Sequence, residues 1–144
     1  MNGIDLSRPV IWHVVFHPGP CIYGRFMHVG LAGYWDDTWL HLDLHRLGVH
    51  VNMIHRHDEV QDYLATLLGN YTVVRFGPAR DRPGGFFRPL TCVSFVKQTL
   101  GIRCGALRPD GLLRDLLRDF NAEMLNASED AGPNSGSTGS AEAG

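Results

Sequence analysis

Residues 26–43 read FMHVGLAGYWDDTWLHLD, and the period of their side chains decides the fold. From Phe26 to Ala32 the period is two, so a strand places Met27, Val29 and Leu31 on one face and His28, Gly30 and Ala32 on the other. Asp36-Asp37 is a turn signal between Gly33 and Thr38, and the alternation resumes from Trp39 to Asp43 with Trp39, His41 and Asp43 on one side. The two segments read as a hairpin. His28 shares its face with small residues, which leaves room beside it.

Working outward, residues 9–17 (PVIWHVVFH) are β-branched and aromatic and stop at Pro18-Gly19-Pro20, which predicts a strand before the hairpin. Gly48 to Ile54 and Tyr71 to Phe76 are further strand candidates. Between them, Val60, Leu64, Leu67 and Leu68 recur at helical spacing after an acidic first turn, which predicts a helix over 58–68. Residues 78–89 are rich in Arg, Pro and Gly and read as an exposed loop. A second helix is expected over 91–100, with Thr91 as N-cap and Gly101 as stop. A third starts near Pro109 with Leu112, Leu113, Leu116, Leu117 and Phe120 on one face. The fold class is α+β, a small antiparallel sheet packed against a helix that begins with Cys92.

With 144 residues, 44% hydrophobic and 19% charged, the chain fits one domain that buries a core without disulfide or metal. That domain is expected over 1–125. From Asn126 to Gly144 no aromatic or large aliphatic residue remains, which predicts a disordered tail over 126–144. A formal charge of -2 argues against a nucleic-acid partner, since phosphate recognition draws on clustered Lys and Arg. The start lacks the basic and apolar regions of a secretory signal, and no apolar run approaches the ~20 residues that span a bilayer. No transmembrane segment and a cytoplasmic location are therefore expected.

The three cysteines, Cys21, Cys92 and Cys104, cannot all pair and lack C-x-x-C spacing, so at least one thiol is free. Cys92 is the candidate nucleophile. A helix N-terminus lowers a thiol pKa because the first amide N–H groups and the helix dipole favour the thiolate, and the same N–H groups can serve an oxyanion. A buried, inert cysteine is the competing reading. A nucleophilic thiol also needs a base and a group that orients it. His28 is the candidate base and His41, on the paired strand, the candidate orienter. A tight turn at Asp36-Asp37 would instead bring Asp43 nearer to His28, which makes Asp43 the alternative third member.

The segments Met27-His28-Val29-Gly30-Leu31, Trp39-Leu40-His41-Leu42 and Leu90-Thr91-Cys92-Val93-Ser94-Phe95-Val96 follow the order His, His, then a distant helix-opening Cys. In that order and spacing, residues 9–101 resemble the circularly permuted papain-like group, which includes permuted NlpC-type peptidases and lecithin:retinol acyltransferase-like proteins. The resemblance implies an open antiparallel sheet against the Cys helix, with Cys92 as nucleophile, His28 as base and His41 as orienter. The acyltransferase-like members commonly place Asn before the Cys and Glu-His after it. This chain has Thr91 and Val93-Ser94 there, which weakens a lipid acyltransferase reading.

The leading expectation is a cysteine-dependent hydrolase (amidase or peptidase) or acyltransferase that works through a thioester on a peptide or other amide or ester, with no cofactor. A non-catalytic structural or binding module on the same scaffold is the alternative. The eight histidines, at positions 13, 17, 28, 41, 45, 50, 55 and 57, raise a third reading, a metal site. His13 with His17 and His55 with His57 are the pairs to consider, but neither has a Cys or carboxylate at familiar spacing, so no metal is expected.

Overall fold

Strand β1 (Trp12–Pro18) carries Val14, Val15 and Phe16 in succession, and all three are fully buried in the computed structural model of the chain. Successive strand residues point to opposite faces, so a strand buried at consecutive positions is covered on both. The structure describes residues 11–19, 24–46, 48–77 and 91–126. The Arg-, Pro- and Gly-rich segment 78–89 and Cys21 lie outside them, as does the expected tail beyond Asn126.

Around β1 the other strands are β2 (Phe26–Trp35), β3 (Thr38–His45), β4 (Gly48–Ile54), β5 (Thr72–Phe76) and β6 (Glu123–Met124). They form one six-stranded sheet in the order β4-β3-β2-β1-β5-β6. Every neighbouring pair is antiparallel. Three helices complete the α+β fold: α1 (His57–Asn70), α2 (Cys92–Leu100) and α3 (Pro109–Asp119). Val14, Phe16, Val29, Leu31 and Val74 pack on one face with Val93, Val96 and Leu100 of α2 and Leu112 and Leu116 of α3. Val15, Ala32, Trp39 and Val73 pack on the other face with Val60 and Leu67 of α1. The sheet is thus a middle layer between helices.

The hairpin forms as expected, closed by Asp36-Asp37 between paired Trp35 and Thr38. Asp36 takes the left-handed conformation (φ 56°) that Asp tolerates better than most side chains. The face pattern of β2 departs from simple alternation. His17 pairs with His28 but Pro18 pairs with Phe26, so Met27 is an extra residue in the strand. This bulge puts Phe26 and Val29 in the same core and leaves Met27 59% exposed, rather than inward with Val29 and Leu31. Asp110 in the first turn of α3 fixes the start of the strand: the amides of Arg25 and Phe26 donate to its two carboxylate oxygens at 2.9 and 3.0 Å. A Cβ on Gly24 would lie 2.6 Å from that carboxylate, so only glycine fits there.

Helix α3 turns its buried line toward Leu112, Asp115 and Leu116, and Leu117, expected inward, is 36% exposed. Asp115 is compensated by Arg118, 3.1 Å away on the next turn. Strand β6 has no signal in the sequence pattern. It is held by Asn126, whose side chain accepts from the Val73 amide (2.8 Å) and donates to the Leu68 and Tyr71 carbonyls (2.6 Å each). The first residue assigned to the tail is therefore a structural clasp between α1 and β5.

Helix α2 starts abruptly. Ser94 N–H donates to Thr91 Oγ1 (3.1 Å) and Thr91 N–H to Ser94 Oγ (3.0 Å), a reciprocal cap that satisfies two otherwise orphan donors. Gly101, at φ 68°, ends the helix in the left-handed conformation. Because this cap fixes where Cys92 enters the helix, Thr91→Ala should lower stability by about 1 kcal/mol in urea unfolding. An unchanged unfolding midpoint would show that the cap contributes nothing.

Candidate active site

The site is built where β3 stops pairing with β2. The ladder runs from Trp35 and Thr38 to Leu31 and Leu42, and beyond it the Val29 amide, not paired with β3, helps to lower the Cys92 thiol pKa. Cys92 is the first residue of α2, so its own helix presents the Val93 amide to the same sulfur. His28, three residues before the end of the ladder, stands close enough that its imidazole and the thiol shift each other's pKa. The helix comes from one face of the sheet and the imidazole from the other. They meet at the opening between the strands.

Asp43 stands behind His28. His28 Nε2 donates to Asp43 Oδ1 at 3.0 Å. On the other side His41 Nε2 lies 3.1 Å from Asp43 Oδ2, while His41 Nδ1 and the Tyr63 hydroxyl of α1 are hydrogen-bonded. The register explains the arrangement: His41 is opposite Ala32, so the carboxylate two residues further along β3 is the one that reaches back to His28. Gly30 makes this possible, because a Cβ there would overlap Asp43 Oδ1. Of the two candidates for the group beside His28, the structure places Asp43 in contact, and His41 contacts Asp43 instead of His28.

Charge follows from these contacts. The hydrogen bond to Asp43, then that to Cys92, raises the His28 pKa to about 9 despite its partial burial. Burial is the largest influence on Asp43 and pushes its carboxyl up, but the neighbouring His28 and His41 imidazoles outweigh it and hold the carboxyl well below the usual range. At Cys92 burial likewise pushes the thiol up. The His28 hydrogen bond and the Val29 and Val93 amides more than offset it, so the thiol pKa falls below its ordinary value. These contacts favour the thiolate, the imidazolium and the carboxylate together, each charge supporting its neighbour.

The other candidates lie elsewhere. Cys104 packs partly buried beside the α2 and α3 core. His55 Nδ1 bonds the Thr38 hydroxyl (3.3 Å), and His57 Nδ1 bonds the Tyr34 hydroxyl (3.0 Å), so that pair does not converge. The His13 ring packs on Trp39 (5.4 Å), whereas His17 faces His28, with ring centroids 5.0 Å apart. His17 and His45, which stacks on His28 at 5.7 Å, were not singled out in the sequence as neighbours of the site, nor was Tyr63. Gly30 was the readable signal, a strand glycine two residues after a histidine.

No protein-family model, no curated protein and no solved structure matches this chain.

Two outcomes follow from the placement of Asp43. Gly30→Ala should displace the carboxylate from His28 and slow Cys92 alkylation at pH 7, with the far-ultraviolet dichroism retained; an unaltered rate in a folded variant would remove Gly30 from the account. The second concerns stability. Asp43, held low, stabilises the fold above the ordinary carboxyl pKa, and that contribution is lost as the pH falls through its depressed folded value. His28, raised to about 9, contributes fully below its ordinary 6.5, and that contribution is lost as the pH rises through about 9. The melting temperature of wild type over Asp43→Asn should accordingly be greatest at about pH 5–6 and shrink toward about pH 9. A difference that stays constant across that range would contradict the coupling.

Proposed function

We propose that the chain is a cysteine-dependent hydrolase or acyltransferase of the permuted papain-like kind, acting on an amide or ester through a thioester at Cys92. The observation that carries this reading is the hydrogen bond of His28 to Asp43 at 3.0 Å, together with the Cys92 thiol at the head of α2, whose pKa His28 lowers. A helix-opening cysteine against an antiparallel sheet, with its histidine earlier in the chain, agrees with the resemblance read from the sequence.

In this mechanism the Cys92 thiolate attacks the carbonyl carbon, a C–S bond forms, and the negative charge passes to the carbonyl oxygen. The dipole of α2 and its first-turn amides favour that charge. As the tetrahedral adduct collapses, the C–N or C–O bond breaks and His28 gives its proton to the leaving atom. Neutral His28 then takes a proton from water or another acceptor, which attacks the thioester carbonyl. Breaking the C–S bond restores the thiolate and the imidazolium. Asp43 orients the ring through both halves and stabilises its charged form. His41 and Tyr63 hold Asp43 in turn.

Room for substrate lies on the His45 side of His28. His45, Arg46, Gly48, Val49 and His50 line a cavity of about 600 Å³, large enough for part of a peptide. An amide with a carboxylate beyond the scissile bond would find Arg46 there.

The test is iodoacetamide alkylation of each cysteine as a function of pH, mapped by mass spectrometry in wild type and in His28→Ala. Thiolate forms as the pH rises, so a depressed pKa moves reactivity to lower pH. Cys92 should react well below the ordinary thiol value of about 8.5, Cys104 should not, and His28→Ala should remove the difference. If Cys92 is inert or indifferent to His28, the enzymatic reading fails and a non-catalytic binding module takes its place.

A further inference from the structure

Asp43 has two oxygens, and only Oδ1 is needed to orient His28. The other, Oδ2, lies 3.1 Å from His41 Nε2. The ligand-capable atoms of His17, His41 and Asp43 all lie within 4.8 Å of one another. His17 Nε2 is buried and has no hydrogen-bond partner among the described residues, and buried His41 Nε2 meets only Asp43 Oδ2, 3.1 Å away and off the hydrogen-bond direction. A buried ring nitrogen without a partner is uncommon, and one within 4.8 Å of a second imidazole and a carboxylate requires an explanation.

From this geometry we infer that His17, His41 and Asp43 form a binding site for a late first-row divalent cation, of which Zn²⁺ is the type, behind the Cys92–His28 pair. Two imidazoles and a carboxylate are a common donor set for such ions, and three protein ligands leave a fourth position for water or an anion. Ligands at about 2.0–2.2 Å in a tetrahedral field stand about 3.4 Å apart, so side-chain rotation has at most about 1.5 Å to take up. Tyr63 supplies the support that metal-bound histidines usually have. With Nε2 on the cation, the proton of His41 moves to Nδ1 and is donated to the Tyr63 oxygen already in place. The site extends the molecule beyond its thiol chemistry, because Cys92 is not among the three ligands.

The experiment is titration of the EDTA-treated full chain with Co²⁺ and Zn²⁺, following the visible cobalt spectrum and the heat of zinc binding. Wild type and Cys92→Ser should each bind one equivalent without a sulfur-to-cobalt charge-transfer band. His17→Phe keeps a ring against Tyr71 and His28 but removes the nitrogen, and it should weaken binding by at least about tenfold; Tyr63→Phe should weaken it by about 10-fold to 100-fold. Absence of binding by the wild type would overturn the site, as would a thiolate charge-transfer band or binding that disappears in Cys92→Ser. These wild-type and Cys92→Ser readings decide the matter even where His17→Phe does not fold.

Discussion

A carboxylate drawn partly out of water must be matched by hydrogen-bond donors or positive charge, and the architecture around Asp43 answers that requirement from several sides. Gly30 clears the space into which the carboxylate leans, His28 and His41 approach its two oxygens, and Tyr63 reaches over from α1 to hold His41. The consequence reaches the thiol. Asp43 raises the pKa of His28, and His28 in turn lowers that of Cys92. One half-buried carboxylate on β3 thus bears, through His28, on the acidity of a sulfur at the head of α2.

The sheet lets these groups meet without leaving a hole in either core. Cys92 belongs to the α2 and α3 side, whereas His41 and Tyr63 are on the α1 side. They communicate through the point where the β2–β3 ladder ends, at which Val29 can direct its amide to sulfur instead of to a neighbouring strand. The bulge at Met27 and the clamp of Asp110 on Arg25 and Phe26 fix the start of β2, so His28 comes from a rigid strand.

Much of this could be read in the sequence where local chemistry acts alone. The hairpin of residues 26–43 was legible in its alternation, α2 in Thr91 and Gly101, and α3 in Pro109, because turns and caps depend on a few adjacent residues. What could not be read were features set by partners far away in the chain. The bulge at Met27 depends on pairing with β1, and the inward line of α3 depends on its docking. The choice between Asp43 and His41 beside His28 depended on register, which a one-residue change would reverse and which Gly30 records only once the partner strand is known. Strand β6 and the Asn126 clasp were hidden for the same reason, their partners being Val73 and Leu68 more than fifty positions earlier.

The two ends of the sheet are not equivalent. On one side β6 has just two residues, and Asn126 ties the chain down beside it; on the other, β4 is seven residues long, with Val49, Val51 and Met53 largely exposed and no further strand among the described residues. Short edges discourage strand addition, and long apolar ones invite it. A molecule with two receptive edges can add copies without limit, but one with a single receptive edge can pair only with a like edge and then has nothing left to offer. Among the described residues, the asymmetry favours closed pairs over a growing fibre for any association through the sheet.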